Sequence, residues 1–227
     1  NYPGAMPSGK VYGAGSPIGG TFVEGDQLGK RYRGTFLSCD MVRKELMGYH
    51  PTLNDAQIDM GEPHAFVGLK ADAKKEHFLP TDVVVGTDGA IYLSDFYNDT
   101  SRRTNQLSGT IYRISRKTGN THVRPIVDFS TVDGLVAALQ NPARNVRTVA
   151  VNALKAKGDA VLPQMKGLFK PTNPYHAARA VWVMAQLGPK GQAFVRETAL
   201  TSSDAQTRIV AYRALRLALP ADLLKMA

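Results

Sequence analysis

FLPTDVVVGTDGAIYLSDFYN, residues 78–98, sets two short apolar runs on either side of a Thr-Asp-Gly turn, and both runs end in polar residues. Runs of four to eight β-branched or aromatic residues between turn residues are the mark of strands. Asp82 stands at the mouth of the first run and Asp95 at the exit of the second. The pattern predicts that both mark the same rim of one sheet.

Outward from this stretch, strand candidates recur. PIGGTFVEG, GTFLSCD, KELMGY and PHAFVGL form one set. PTDVVVGTDG, AIYLSDFY, GTIYRIS and HVRPIVDF form a second. The sets align: SPIGG and LPTDV both open with proline in second place, and GTFLSCD and GAIYLSD end in Asp40 and Asp95. Two four-stranded units at a period near 50 residues predict β-propeller blades. A whole propeller has at least about four blades, so this would be only the C-terminal part of one.

After Asp128 the period changes. LVAALQNP, VRTVAVNALKAKG, AVLPQMKGLF, AARAVWVMAQLG, AFVRETALTS and TRIVAYRALRLAL carry apolar residues at spacings of three and four, as amphipathic helices do. Arg147, Arg179 and Arg208 each open a helix, with Asn-Pro or Ser-Ser-Asp ahead of it as a cap or first-turn signal. Helix pairs recurring at about 30 residues predict a HEAT-like α-solenoid. Trp182 is expected to fill the core of its middle repeat. The expected domains are thus a partial propeller over residues 1–128 and a solenoid over 129–227.

Charge divides along the same line. Residues 1–128 hold 15 Lys/Arg against 14 Asp/Glu, and residues 129–227 hold 13 against 5, so most of the net charge of +9 falls on the helical half. Such asymmetry points to an anionic partner, with a merely soluble surface as the alternative. Nucleic acid is not expected, because no reading motif is present and aromatics do not interleave with the basic residues. No run of 18 apolar residues exists, so no transmembrane segment is expected. The chain opens on Asn rather than Met, which points to a processed or partial polypeptide. A single cysteine, Cys39, excludes an internal disulfide, a four-cysteine zinc site and a Cys-x-x-Cys-His haem attachment. It is expected to be a small apolar strand residue.

SPIGGTFVEGDQLGKRYRGTFLSCD, FLPTDVVVGTDGAIYLSDFYND and GTIYRISRK, followed by NPARNVRTVAVNAL, AARAVWVMAQLG and TRIVAYRALR, resemble the membrane-bound dehydrogenase family of the sorbosone/glucose dehydrogenase type. In that family a propeller similar to that of soluble quinoprotein sugar dehydrogenases precedes HEAT-like repeats, and many members end in a c-type haem domain. The resemblance implies a fragment or subunit of an exported, periplasmic dehydrogenase of sugars or alcohols. It also implies a PQQ cofactor with Ca²⁺, and electron transfer to a c-type cytochrome. No haem is expected in this chain. The alternative is a non-catalytic interaction module docked on a larger complex.

In a propeller the ligand face is built from loops entering the innermost strand and loops between the second and third strands. Asp82 and Asp95 would lie there, and the long loop after Asp95 adds Tyr97, Asn98, Asp99, Arg102 and Arg103. These are the candidate cofactor residues, with Asp95 and Asp99 as calcium ligands, because hard cations take oxygen ligands and arginine pairs with carboxylates. An aspartate at a strand end also caps a turn by accepting backbone N–H groups, so that reading stays open. His77, ahead of the innermost strand, is the candidate general base, set against a structural histidine. The basic half is expected to dock an acidic protein surface, either the remaining domains of the same enzyme or its cytochrome partner.

Overall fold

The structure, a computed structural model, describes residues 12–54, 57–68, 78–98, 107–117, 125–169 and 173–218. The chain divides into two compact units, residues 1–123 and 124–227. The first holds two small antiparallel sheets. One has four strands in the order β1-β2-β3-β6, where β1 is Pro17–Phe22, β2 Phe36–Asp40, β3 Glu45–Tyr49 and β6 His64–Gly68. A hairpin of β4 (Thr52–Asn54) and β5 (Gln57–Asp59) lies between β3 and β6 in the chain. The other sheet has three strands, β7 (Pro80–Val85), β8 (Ile91–Asn98) and β9 (Leu107–Ile114).

The alternation seen in the sequence decides which faces are buried. Ile91, Leu93 and Asp95 sit at every second position of β8, and all three are buried. Ile91 and Leu93 join Val83, Leu37, Cys39, Leu46 and Phe78 in one core. Both sheets begin with an irregular pairing, between Ile18 and Gly20 in β1 and between Pro80 and Asp82 in β7. These bulges meet. A Cβ on Gly19 would fall 2.7 Å from the Thr81 carbonyl oxygen and 2.6 Å from Asp82 Oδ1. Gly19 also has a φ of +59°, which L side chains rarely adopt, so glycine is required there on two grounds.

The second unit is helical: α1 (Val132–Ala138), α2 (Arg144–Lys157), α3 (Leu162–Leu168), α4 (Pro174–Met184), α5 (Pro189–Phe194, continued by a π-turn over Val195–Ala199) and α6 (Ala205–Ala218). Their apolar stripes close over Leu135, Leu139, Leu154, Met165, Met184 and Leu215, with Trp182 packed partly buried against them. Polar residues begin the helices as the sequence predicts. Asn173 Oδ1 accepts the Tyr175 N–H at 2.9 Å, Asn141 Oδ1 accepts the Ala143 N–H at 2.8 Å, and Asp204 Oδ2 accepts the Thr207 N–H at 2.8 Å.

These units overturn the expectation of propeller blades followed by a HEAT-like solenoid. The second sheet has three strands, not four. In HVRPIVDF, expected as its fourth strand, the described residues 125–129 form no strand; Pro125 has no N–H to give a ladder and Ile126 is 99% exposed. The helices differ in length from 6 to 14 residues, so no uniform helix pair repeats. The recurring arginines have a more local cause than repeat stacking. Arg147 Nη1 donates to the carbonyls of Asn141 and Pro142, and Arg208 Nη1 to those of Ser202 and Ser203. Each closes the loop that begins its own helix. Arg179 reaches another helix end, the Leu139 carbonyl at 2.8 Å. For Arg147 and Arg208 the recurrence is therefore a helix-start signal.

Candidate functional site

Asp95 comes to the rim of the three-stranded sheet because Pro80 pairs with it in register. It lies on the buried face of β8 and is only 5% exposed. Its Oδ1 accepts the Leu79 N–H at 2.8 Å and its Oδ2 accepts the Tyr112 hydroxyl at 3.3 Å. The Phe96 N–H in turn reaches the Leu79 carbonyl at 2.9 Å, so the peptide ahead of Pro80 is satisfied on both sides. Burial, with the Asp95 charge beside it, pushes the Tyr112 phenol above its ordinary pKa. Asp95 thus accepts a backbone N–H, but across the sheet rather than at a turn, since β8 runs on to Asn98.

Asp40 repeats this arrangement in the four-stranded sheet. It pairs with Pro17, and its Oδ1 accepts the Ser16 N–H at 3.1 Å while the Met41 N–H reaches the Ser16 carbonyl at 3.2 Å. Asp82 differs. It lies at the same end of its sheet as Asp95 but on the exposed side of β7, opposite Ser94, and its Oδ1 accepts the Val83 N–H at 2.8 Å. Tyr97 and Asn98 are the last residues of β8, paired with Ser108 and Leu107. His77, Asp99, Arg102 and Arg103 lie outside the described residues.

A polar cluster that the sequence reading did not single out sits at the Thr-Asp-Gly turn. Asp88 Oδ1 accepts the Ala90 N–H at 3.0 Å. Its Oδ2 accepts the Arg113 guanidinium from Nε at 3.1 Å and Nη2 at 2.7 Å, and the Tyr92 hydroxyl at 3.2 Å. Burial works to raise the Asp88 pKa, but the hydrogen bonds from Arg113 and the Ala90 N–H outweigh it and hold it below the ordinary carboxylate value. The alternation of Tyr92 and Arg113 on paired strands, in register with each other, was the available signal. The cluster ties the turn to β9 and leaves no oxygen of Asp88 unengaged.

Among the described residues no group of three or more His, Cys, Asp or Glu side chains comes together to hold a metal ion. His50 and His64 stack with centroids 5.2 Å apart, and Thr35 Oγ1 lies 3.3 Å from His50 Nδ1. Of the candidate cofactor residues, the structure describes the side chains of Asp82 and Asp95. Both Asp95 oxygens accept hydrogen bonds from the protein, so calcium would have to displace them. Asp82 and Asp95 also carry the wrong charge to meet the carboxylates of PQQ. No catalytic step is derived through either group.

The helical unit carries a surface of different character. On α6, Arg208, Tyr212 and Arg216 recur at intervals of four and so share a face. With Leu200, Ile209 and Arg213 they line a groove of about 420 Å³. Tyr212 is 48% exposed, and Arg213 and Arg216 are exposed beside it. Lys155, Lys157 and Lys190 are exposed as well. Lys166 is engaged, with its ammonium 4.7 Å from the centroid of the Phe194 ring. Arg196 is half-buried, and Lys170 lies outside the described residues. The sequence showed these charges; the Tyr212 anchor between them follows only from the four-residue spacing.

Comparison with family models, curated proteins and solved structures finds no match. Among the described residues no helix is long and apolar enough to cross a membrane.

Proposed function

We propose that this chain is a non-catalytic docking portion of an exported assembly of the sorbosone/glucose dehydrogenase type. The family assignment and the periplasmic location rest on the resemblance of the phrases quoted above. The observation that carries the docking role is the α6 groove. Arginine and tyrosine are the residues that most often anchor protein interfaces, because both bring large contact area and polar ends. Here three arginines surround one exposed tyrosine and two aliphatic side chains. The occupant that fits is an acidic segment with an aliphatic or aromatic side chain to set against Tyr212. The remaining domains of the same enzyme, or a c-type cytochrome with an acidic face, would supply it.

Concentrated charge of one sign steers association and makes its rate fall with salt. The test is the association rate of the full chain with an acidic c-type cytochrome, and separately with an amphipathic peptide of Glu and Leu. Arg213→Glu with Arg216→Glu is expected to slow association several-fold at low salt and little at high salt. A rate indifferent to both the reversal and the salt overturns the docking role.

A second reading rests on the sequence that follows β8, which carries Asp99, Arg102 and Arg103. In that reading the chain contributes residues to a sugar or alcohol dehydrogenase centre using PQQ and Ca²⁺. Turnover of a sugar with an artificial electron acceptor, dependent on added PQQ and Ca²⁺ and abolished by Arg102→Ala, would establish it. Turnover unaffected by that change would remove it.

A further inference from the structure

The first unit holds a cleft of about 550 Å³, away from the Asp95 rim, that no part of the proposed function uses. It forms where the short 3-10 turn at Lys30–Tyr32 faces Phe66 on β6 and the end of β9. Its floor is apolar: Leu28, Tyr32, Phe66 and Ile114. Tyr32 and Phe66 meet edge to face with centroids 5.5 Å apart, which fixes both rings. Its rim is cationic. Lys30 and Arg31 come from one side and Arg116 and Lys117 from the other, and no acidic residue is among the described residues that line it.

The pairing of cations in this unit separates that rim from the rest. Arg33 is ion-paired with Asp26 at 3.3 Å, Arg43 with Asp40 at 3.6 Å and Arg113 with Asp88 at 2.7 Å. None of the four cleft cations forms an ion pair among the described residues. Arg31 instead places its guanidinium carbon 4.5 Å from the centroid of the Tyr32 ring. Four like charges around one concavity repel each other, and an anion seated between them removes that repulsion. A volume of this size suits a small organic molecule, since ligand pockets run from roughly 300 to 1,000 Å³.

We infer that this cleft binds a small organic polyanion: a flat ring set on Tyr32 and Phe66, carrying two or more carboxylate or phosphate groups held by Lys30, Arg31, Arg116 and Lys117. Guanidinium groups pair with either oxyanion through parallel N–H donors, and ammonium groups add point charge. The ring is required by the floor, and the charge by the rim.

The test is calorimetric titration of the full chain with four probes. ADP and benzene-1,3,5-tricarboxylate carry ring and charge, citrate carries charge without a ring, and adenosine carries a ring without charge. The two ring polyanions are expected to bind at least about ten-fold more tightly than citrate or adenosine, and the tighter of the two identifies the oxyanion as phosphate or carboxylate. Arg116→Glu with Lys117→Glu, both exposed, is expected to weaken the better probe at least about ten-fold at an unchanged melting temperature. Lys155→Glu with Lys157→Glu in the helical unit is expected to leave it unchanged. Absence of binding, citrate binding as well as the ring polyanions, or equal loss in both double variants would overturn the proposal.

Discussion

At Ser16–Pro17 the residue ahead of the proline gives its N–H to Asp40; at Leu79–Pro80 it gives it to Asp95. The two carboxylates then diverge. After Asp40 the chain turns back into β3, and Asp40 Oδ1 also accepts the Val42 and Arg43 N–H groups at 3.1 and 2.9 Å. After Asp95 the chain runs on as strand to Asn98, and the second oxygen goes sideways to the Tyr112 hydroxyl of β9. The shared part is the fastening of an X-Pro peptide, whose residue before proline is already confined to extended geometry. The part that differs follows the path of the chain. A buried aspartate at this point therefore fastens the start of the neighbouring strand in both sheets.

The comparison breaks most decisively where the two bulges touch. Gly19→Ala adds a Cβ at positive φ and drives it against Thr81 and Asp82; a loss of about 3 kcal/mol is expected in chemical denaturation, from left-handed strain plus overpacking. A variant as stable as the parent would mean that the bulges do not need their close approach. Next comes Asp40→Ala, which strands the Ser16, Val42 and Arg43 N–H groups and is expected to cost about 3 kcal/mol or slightly less. Asp95→Ala strands one N–H and is expected to cost about 2 kcal/mol, by the same measurement. Equal costs would show that the turn after Asp40 adds nothing.

The smallest effects fall at the helix starts, which sharpen the comparison by replacing a buried carboxylate with exposed ones. Asp204→Ala removes the acceptor for the Thr207 N–H and hydroxyl, and about 1 kcal/mol is expected. Asp128 accepts the Ser130 and Thr131 hydroxyls, both at 2.6 Å, and the Ser130 N–H, which hold its pKa down to about 2 from an ordinary 3.8. Its folded value is depressed, so its contribution is present above pH 3.8 and fades as pH falls toward about 2. The melting temperature of the helical unit should fall across that window, and Asp128→Asn should flatten that part of the fall.

Strand and helix runs were legible because period two and period three-to-four patterns report local burial. Seven of the eight strand phrases and all six helical phrases overlap an observed element. The β4–β5 hairpin was not legible, since TLN and QID are too short to show alternation. Architecture was read less well, because recurrence was attributed to repeat units. Proline with Asp40 or Asp95, and arginine with its helix-start carbonyls, recur because the same local bonding problem recurs. At the rim, position along the strand was legible but side-chain facing was not: Asp82 and Asp95 look alike in the sequence, yet one is exposed and the other buried. The cationic cleft was illegible, as its two halves lie more than 80 residues apart in the chain.

Cys39, next to the last residue of β2, has no exposed surface, and burial, with the Asp82 charge second, pushes its thiol up to about 12. Disulfide exchange needs both access and thiolate, and this position denies both. In an oxidising compartment the folded chain would therefore neither cross-link to a second copy nor form mixed disulfides with small thiols. Only a molecule whose four-stranded sheet has opened would do so. Covalent dimer on a non-reducing gel would thus count the molecules that have unfolded, not those that have assembled.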